Sequence, residues 1–161
     1  MINALRGNFA NDTNNTYYIS GAPQCVVKDA NMGDSIQEAQ YDYLFIQYYN
    51  SPQCAAANLF NGNPDAFNFN QWAEFIVGNA SAKARLHVGI PGAVDAADSD
   101  GDFYIDPSDL PSLVSASTNV TGFNGLMIYD AGASDELKDN GENYAQKASD
   151  ALKGASSRRR M

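Results

Sequence analysis

The apolar positions of this chain fall in short runs separated by polar turns and by Gly or Pro. The clearest run is Tyr41-Asp42-Tyr43-Leu44-Phe45-Ile46-Gln47-Tyr48-Tyr49-Asn50, followed by Ser51-Pro52-Gln53-Cys54. Leu44, Phe45 and Ile46 are contiguous and flanked by aromatics, a pattern that suits a parallel strand covered on both faces. It predicts a strand over 42–49 that ends in the hydrogen-bonding side chains of Gln47, Tyr49 and Asn50. Ligands of parallel α/β folds sit at the carboxyl ends of strands. One stretch therefore offers both a core element and a candidate site.

Three further runs read as strands: 17–20, broken by Gly21-Ala22-Pro23, then 86–90, ended by Pro91-Gly92, and 125–129. Between them the spacing turns helical. Ile2, Leu5 and Phe9 mark the last turns of a helix without an obvious N-cap, which suggests that the chain starts inside a larger fold. Residues 35–40 predict a short helix at most. Phe69, Trp72, Phe75 and Ile76 share one face of a helix over 67–77. Pro107 opens another helix, with Leu110, Leu113 and Val114 following. Tyr144, Ala148 and Leu152 line a last helix over 143–153. Residues 61–65 and the acidic stretch 95–106 predict loops. Residues 155–161 predict an unstructured tail, leaving 1–154 as the folded region. Alternation of this kind implies a parallel sheet. Four strands are too few to close a barrel, which takes eight, so the fold is either a small open sheet or half of a barrel.

Composition narrows the partners. The chain has 161 residues, 44% of them hydrophobic and 18% charged, which fits one globular domain. Its net charge is -9, and three of its ten basic residues are Arg158, Arg159 and Arg160. The body is thus more acidic still, which argues against nucleic acid and anionic membrane as partners. No apolar run of about 18 residues is present to span a membrane, and the first residues lack the pattern of a signal peptide. Four triplets, beginning at Asn11, Asn14, Asn79 and Asn119, nevertheless match the N-glycosylation acceptor pattern. The two cysteines, Cys25 and Cys54, each follow a strand-like run. They fit either a disulfide closing a loop of about 30 residues or a pair of buried thiols.

Other candidate chemistry is sparse. His87, the only histidine, lies inside an apolar strand and is more often a core residue than a base in that setting. Asp98-Ser99-Asp100-Gly101-Asp102 has the look of a calcium loop. Aligning Gly101 with the glycine such a loop requires puts Ala96 and Pro107 at its end ligands, so it reads as a solvated loop. Asp130 and Asp95 could be cast as an acid/base pair, but sequence gives no separation for them. No phosphate loop, nucleophile elbow or Cys-x-x-Cys motif occurs, and no cofactor is expected.

Three stretches carry a family resemblance: Gly21-Ala22-Pro23-Gln24-Cys25, then Gln47-Tyr48-Tyr49-Asn50 with Pro52 and Cys54, then Gly89-Ile90-Pro91-Gly92-Ala93. In order and spacing they resemble the class III, hevamine-like chitinases of glycoside hydrolase family 18. The likeness runs from about Leu5 to Leu152. It implies a (β/α)8 barrel of which this chain holds strands five to eight, a half barrel. It also implies a Cys25–Cys54 disulfide and an extracellular, chitin-degrading parent.

In that family the acetamido group of the substrate, not an enzyme carboxylate, is the nucleophile. Tyr49 matches the tyrosine that orients this group. Gln47 lies one side-chain alternation away on the same face, and Asn50 and Asp130 join it as substrate-binding candidates. Tyr129 stands where the family usually has the Trp under the distorted sugar. The resemblance puts the catalytic Glu at the end of strand four, in an Asp-Gly-x-Asp-x-Asp-x-Glu motif that this sequence lacks. The expectation is a chain inactive by itself that retains part of a site for chitin or chitooligosaccharide. A non-catalytic chitin-oligosaccharide binder is the alternative. Half a barrel would also leave strand edges open at 17–22 and 125–129, inviting self-association or pairing with a complementary half.

Overall fold

The structure is a computed structural model that describes residues 1–97, 101–136, 138 and 140–158. Its centre is one sheet of four parallel strands in the order β1-β2-β3-β4. The strands are β1 (Ser20–Gly21), β2 (Tyr43–Gln47), β3 (Arg85–Pro91) and β4 (Phe123–Tyr129). The sheet does not close, so β1 and β4 are its edges. This is the architecture of a half barrel.

Side chains alternate across the ladder. Leu44 and Ile46 of β2, and Leu86, Val88 and Ile90 of β3, are fully buried toward the helices. They pack with Ile36 of α2 (Gly33–Glu38), Phe69, Trp72 and Ile76 of α3 (Phe69–Ile76), and Leu110, Leu113 and Val114 of α4 (Leu110–Ser117). Tyr144, Ala148, Ala151 and Ala155 of α6 (Tyr144–Arg158) complete the cluster. The other face of β2 carries Tyr43, Phe45 and Gln47, which are only half-buried. β2 is therefore not covered on both faces as its apolar run suggests, because the sheet is open on the side that a closed barrel would fill.

Several elements depart from the sequence pattern. β1 is shorter than 17–20 and shifted toward Gly21, and both Tyr17 and Tyr18 are exposed. The Asp42 side chain takes over at this edge. Its Oδ2 accepts the Ile19 N–H at 2.6 Å and an Arg6 N–H at 2.6 Å, tying α1 (Ile2–Phe9) to the sheet. Pro107–Asp109 is a 3₁₀ turn leading into α4, capped where Asp106 accepts the Ser108 N–H at 2.8 Å. A helix not foreseen, α5 (Ala131–Glu136), follows β4 directly.

The unstructured tail expected from residue 155 is corrected for 155–158. α6 continues there because Ala155 prolongs the stripe of Tyr144, Ala148 and Ala151, and it is only 9% exposed. Residues 159–161 and the Asp98-Ser99-Asp100 part of the acidic loop lie outside the described residues. Among the described residues, no helix is long and apolar enough to cross a membrane.

Of the two readings of the cysteines, the disulfide holds. Cys25 and Cys54 are bonded, with Cα atoms 5.9 Å apart, and both are buried. The Cys25 carbonyl accepts two further bonds from the α3 region, Trp72 Nε1 at 2.8 Å and Asn68 Nδ2 at 3.0 Å. The bridge thus joins the loop after β1, the loop after β2 and the helix beneath them. With a sequence separation of 29, loop-closure entropy puts its contribution at about 3–4 kcal/mol. Reduction, or the C25A/C54A double variant, is expected to lower unfolding stability by about that amount in denaturant titrations. An unchanged midpoint would refute a stabilising role.

Candidate functional site

The site is built by the carboxyl ends of β2, β3 and β4. The register pairs Gln47 with Gly89, Gly89 with Met127, and Pro91 with Tyr129. Gln47, Gly89 and Met127 thus lie at one level of the open face, and Tyr49 and Tyr129 follow at the next. Strands two apart in a sheet are separated by about 9.6 Å, twice the ordinary spacing. At the lower level β3 presents Gly89, where a Cβ would come within 2.7 Å of the Met127 Cε. One level up β3 presents Pro91, and the long side chains of Tyr49 and Tyr129 reach across to each other, with ring centroids 5.6 Å apart and planes inclined by 21°.

The two tyrosines differ in environment. Tyr49 is 6% exposed, whereas Tyr129 is 48% exposed. Tyr49 packs with Ala55 and Phe103 in a small cluster of its own, with Ala97 and Met127 against it. Burial, and secondarily the neighbouring Tyr129 hydroxyl, pushes the Tyr49 hydroxyl up to about 12. It is therefore a protonated hydrogen-bond donor throughout the physiological range. The exposed Tyr129 offers an aromatic face on which an apolar sugar face can rest.

The remaining expected residues are less uniformly disposed. Gln47 donates from Nε2 to the Ala22 carbonyl at 2.7 Å, so its amide nitrogen is committed to the loop after β1. Asn50 is exposed and turns the chain away from the strand with φ of 59°, a conformation that Asn tolerates better than most residues. Asp130 is exposed and joined to Tyr129 by a cis peptide bond. Its Oδ1 accepts the Ala133 N–H at 3.0 Å and its carbonyl accepts the Ser134 N–H at 2.9 Å, so it forms the N-terminal cap of α5. Asp95 is exposed in the turn Val94–Ala96.

Gly92 explains part of the motif after β3. A Cβ there would lie 2.9 Å from the Ser134 nitrogen and 3.0 Å from the Asp130 carbonyl oxygen, so only glycine admits the start of α5 at this point. His87 is a core residue of the open face. It is 8% exposed, lies 5.0 Å from the Phe45 ring, and has Nε2 3.1 Å from Asn124 Nδ2. Burial lowers its pKa, so it is neutral at pH 7. Among the described residues, no three His, Cys, Asp or Glu side chains are grouped to hold a metal ion.

Phe103 was not foreseen as part of the site. Its signal was the apolar triplet Phe103-Tyr104-Ile105 inside a stretch dominated by Asp. α5 was missed because Ala131-Gly132-Ala133-Ser134 has no apolar period, and the helix depends on the Asp130 cap.

The chain is similar to fungal endochitinases. It is 39% identical over 159 residues to Endochitinase 2 of Metarhizium robertsii, covering 94% of this chain and 37% of that protein. It is 36% identical over 154 residues to Endochitinase A of Aspergillus niger, covering 94% of this chain and 12% of that one. The chain therefore spans well under half the length of these relatives. Among solved structures, a xylanase and α-amylase inhibitor protein from Scadoxus multiflorus superposes with a TM-score of 0.70 at 26% identity, over 95% of this chain and 49% of that one. The ICChI chitinase from Ipomoea carnea superposes with a TM-score of 0.58 at 26% identity, over 83% and 46%. No protein-family profile matches the chain.

The Asp130 cap separates two roles that one carboxylate could have. Asp130→Ala is expected to cost about 1 kcal/mol in thermal or urea unfolding, and Asp130→Asn, which keeps a capping oxygen, only a few tenths. Equal losses in both would show that charge, not the cap, matters there.

Proposed function

Since this chain belongs to the class III, chitinase-like branch of glycoside hydrolase family 18, we propose that it binds oligosaccharides of β-1,4-linked N-acetylglucosamine at the ends of β2 and β4 but does not cleave them alone. The observation that carries this reading is the Tyr49–Tyr129 pair. A buried phenol kept protonated can donate to the acetamido carbonyl oxygen and hold it toward the anomeric carbon, a positioning effect. An exposed phenol beside it supports the sugar ring. Asn50 and Asp130 are at the rim, and Gln47 anchors the wall behind Tyr49. In an intact relative the same geometry would serve retaining, substrate-assisted hydrolysis of chitin. This sequence contains no Asp-Gly-x-Asp-x-Asp-x-Glu motif to protonate the leaving oxygen.

The setting that suits this role is extracellular. A disulfide persists in oxidising compartments. Of the four acceptor triplets, those at Asn11, Asn14 and Asn119 are exposed. Asn79 instead donates Nδ2 to the Phe75 carbonyl, and the Ser81 hydroxyl of that triplet is buried.

Calorimetric titration with a chitin oligomer at millimolar concentration is expected to give heat that Tyr49→Phe and Tyr129→Ala both reduce. A fluorogenic chitooligosaccharide is expected to remain uncleaved. Absence of heat in the wild-type chain would overturn the binding reading. Turnover that Tyr49→Phe abolishes would overturn the claim of inactivity.

A second reading concerns assembly. β1 and β4 are edges of a parallel sheet. The open face between them carries Tyr43, Phe45 and Met127, all half-buried, and exposed edges invite pairing. Two copies, each supplying four strands, could complete an eight-stranded ring. Sedimentation velocity is expected to show concentration-dependent association of the purified chain. A well-dispersed monomer at every concentration would rule this out.

A further inference from the structure

We infer that Phe103 is a positioning residue for Tyr49, holding its ring against Tyr129 so that the hydroxyl keeps a fixed direction into the sugar site. This rests on the reading of Tyr49 as the group that orients the acetamido oxygen, and adds a residue to that same site.

The inference stands on how the segment 103–105 is anchored. Successive side chains go to three different surroundings. Phe103 is 6% exposed and packs with Tyr49 and Ala55. The Tyr104 ring packs on Tyr144 of α6, with centroids 5.4 Å apart. Ile105 is 1% exposed in the main core, and its carbonyl accepts the Tyr144 hydroxyl at 2.9 Å. Just before them, the Tyr104 N–H donates to the Gly101 carbonyl at 3.0 Å. Gly101 has a φ of +89°, and a Cβ there would lie 2.8 Å from Val94 Cγ1, so glycine is required at this close approach. Phe103 is thus carried on backbone fixed from both sides and by a helix on the far side of the sheet.

Tyr49 by itself has less to hold it. It lies beyond the last paired residue of β2, Gln47, and is followed by Asn50 in a left-handed conformation. The ladder does not fix its ring, so the ring's direction depends on its packing. Tyr129 covers part of the ring but is half-exposed and also at the end of its strand. Phe103, buried and anchored, is the rigid member of the cluster. A hydroxyl that must point at one oxygen loses effectiveness when its ring can rotate or slide, and a misplacement of about 1 Å can cost up to about 10²-fold.

The test is proton–carbon NMR of the full chain with labelled tyrosines, Tyr49 being assigned with Tyr49→Phe, alongside chitooligosaccharide titration of each variant. Stacking on Tyr129 shifts the Tyr49 ring resonances upfield. In Phe103→Ala these resonances are expected to move toward free-tyrosine positions and the dissociation constant to rise by about tenfold. Phe103→Leu, close in volume and still apolar, is expected to restore the ring shift and to bind within about twofold of wild type. Should Phe103→Ala not fold, Phe103→Val is read by the same criteria. Unchanged Tyr49 resonances would overturn the inference, and so would displaced resonances with unchanged affinity. If the resonances move but neither wild type nor variant binds the oligosaccharide, the positioning of Tyr49 by Phe103 stands and the sugar-binding reading falls.

Discussion

Everything in this chain depends on the side-chain parity of the parallel ladder. Because successive residues of a strand point to opposite faces, one register puts Leu44, Ile46 and Tyr48 under the helices and Tyr43, Phe45 and Gln47 on the open face. A slip of one residue would exchange the two sets, burying Gln47 and exposing three core side chains. The site continues this parity past the end of β2, where Tyr49 keeps the face of Gln47. β4 obeys the same parity, with Met127 and Tyr129 on the open face. The packing that stabilises the outer core is therefore the same constraint that puts Tyr49 and Tyr129 on one face.

The open face divides into two regions. Toward the strand starts it is filled by Tyr43, Phe45 and His87, with Tyr18 edge-on to Tyr43 and the Arg85 guanidinium 5.5 Å over the Tyr43 ring. Toward the strand ends it carries Tyr49, Tyr129 and Phe103. Although the chain has a net charge of -9, no carboxylate is among these side chains. Aromatic bulk without carboxylates suits the inside of a barrel in the lower region and, in the proposed reading, a sugar face in the upper one. The acidic residues instead serve edges and helix ends, as Asp42 does at Ile19 and Asp130 at α5.

How much of this could be read from sequence follows from what fixes each element. β2, β3 and α3 are set by apolar runs and stripes, and these are local signals. β1 and α6 were misjudged at their ends because tertiary contacts decide there: the Asp42 carboxylate captures Ile19, and the core accepts Ala155. α5 rests on a single capping side chain and has no period to detect. The strand end pointed to Tyr49 as a candidate, but its role, and Tyr129 altogether, could be named only through a family resemblance, since aromatic residues in strands are common. Nothing in the sequence said that their rings touch, because that contact spans β3. The apolar signal of Phe103 was hidden by the acidic residues around it, and its place beside Tyr49 is a tertiary contact with no local sequence signal.

In the proposed reading Tyr49 orients a substrate, and its burial makes it unsuitable as a replacement acid. A general acid is effective when its pKa lies near the working pH. A phenol pushed up to about 12 holds its proton too firmly to surrender it to a leaving sugar oxygen at neutral pH. It can, however, donate a hydrogen bond without ever ionising. His87 is turned toward Phe45 and Asn124 within the ladder, and burial lowers its pKa, favouring the neutral ring. Asp130, the carboxylate next to the tyrosine pair, spends Oδ1 on the first turn of α5. Neither His87 nor Asp130 is thus placed as an obvious proton donor beside the tyrosine pair, which fits the proposal that Tyr49 and Tyr129 bind and orient a sugar.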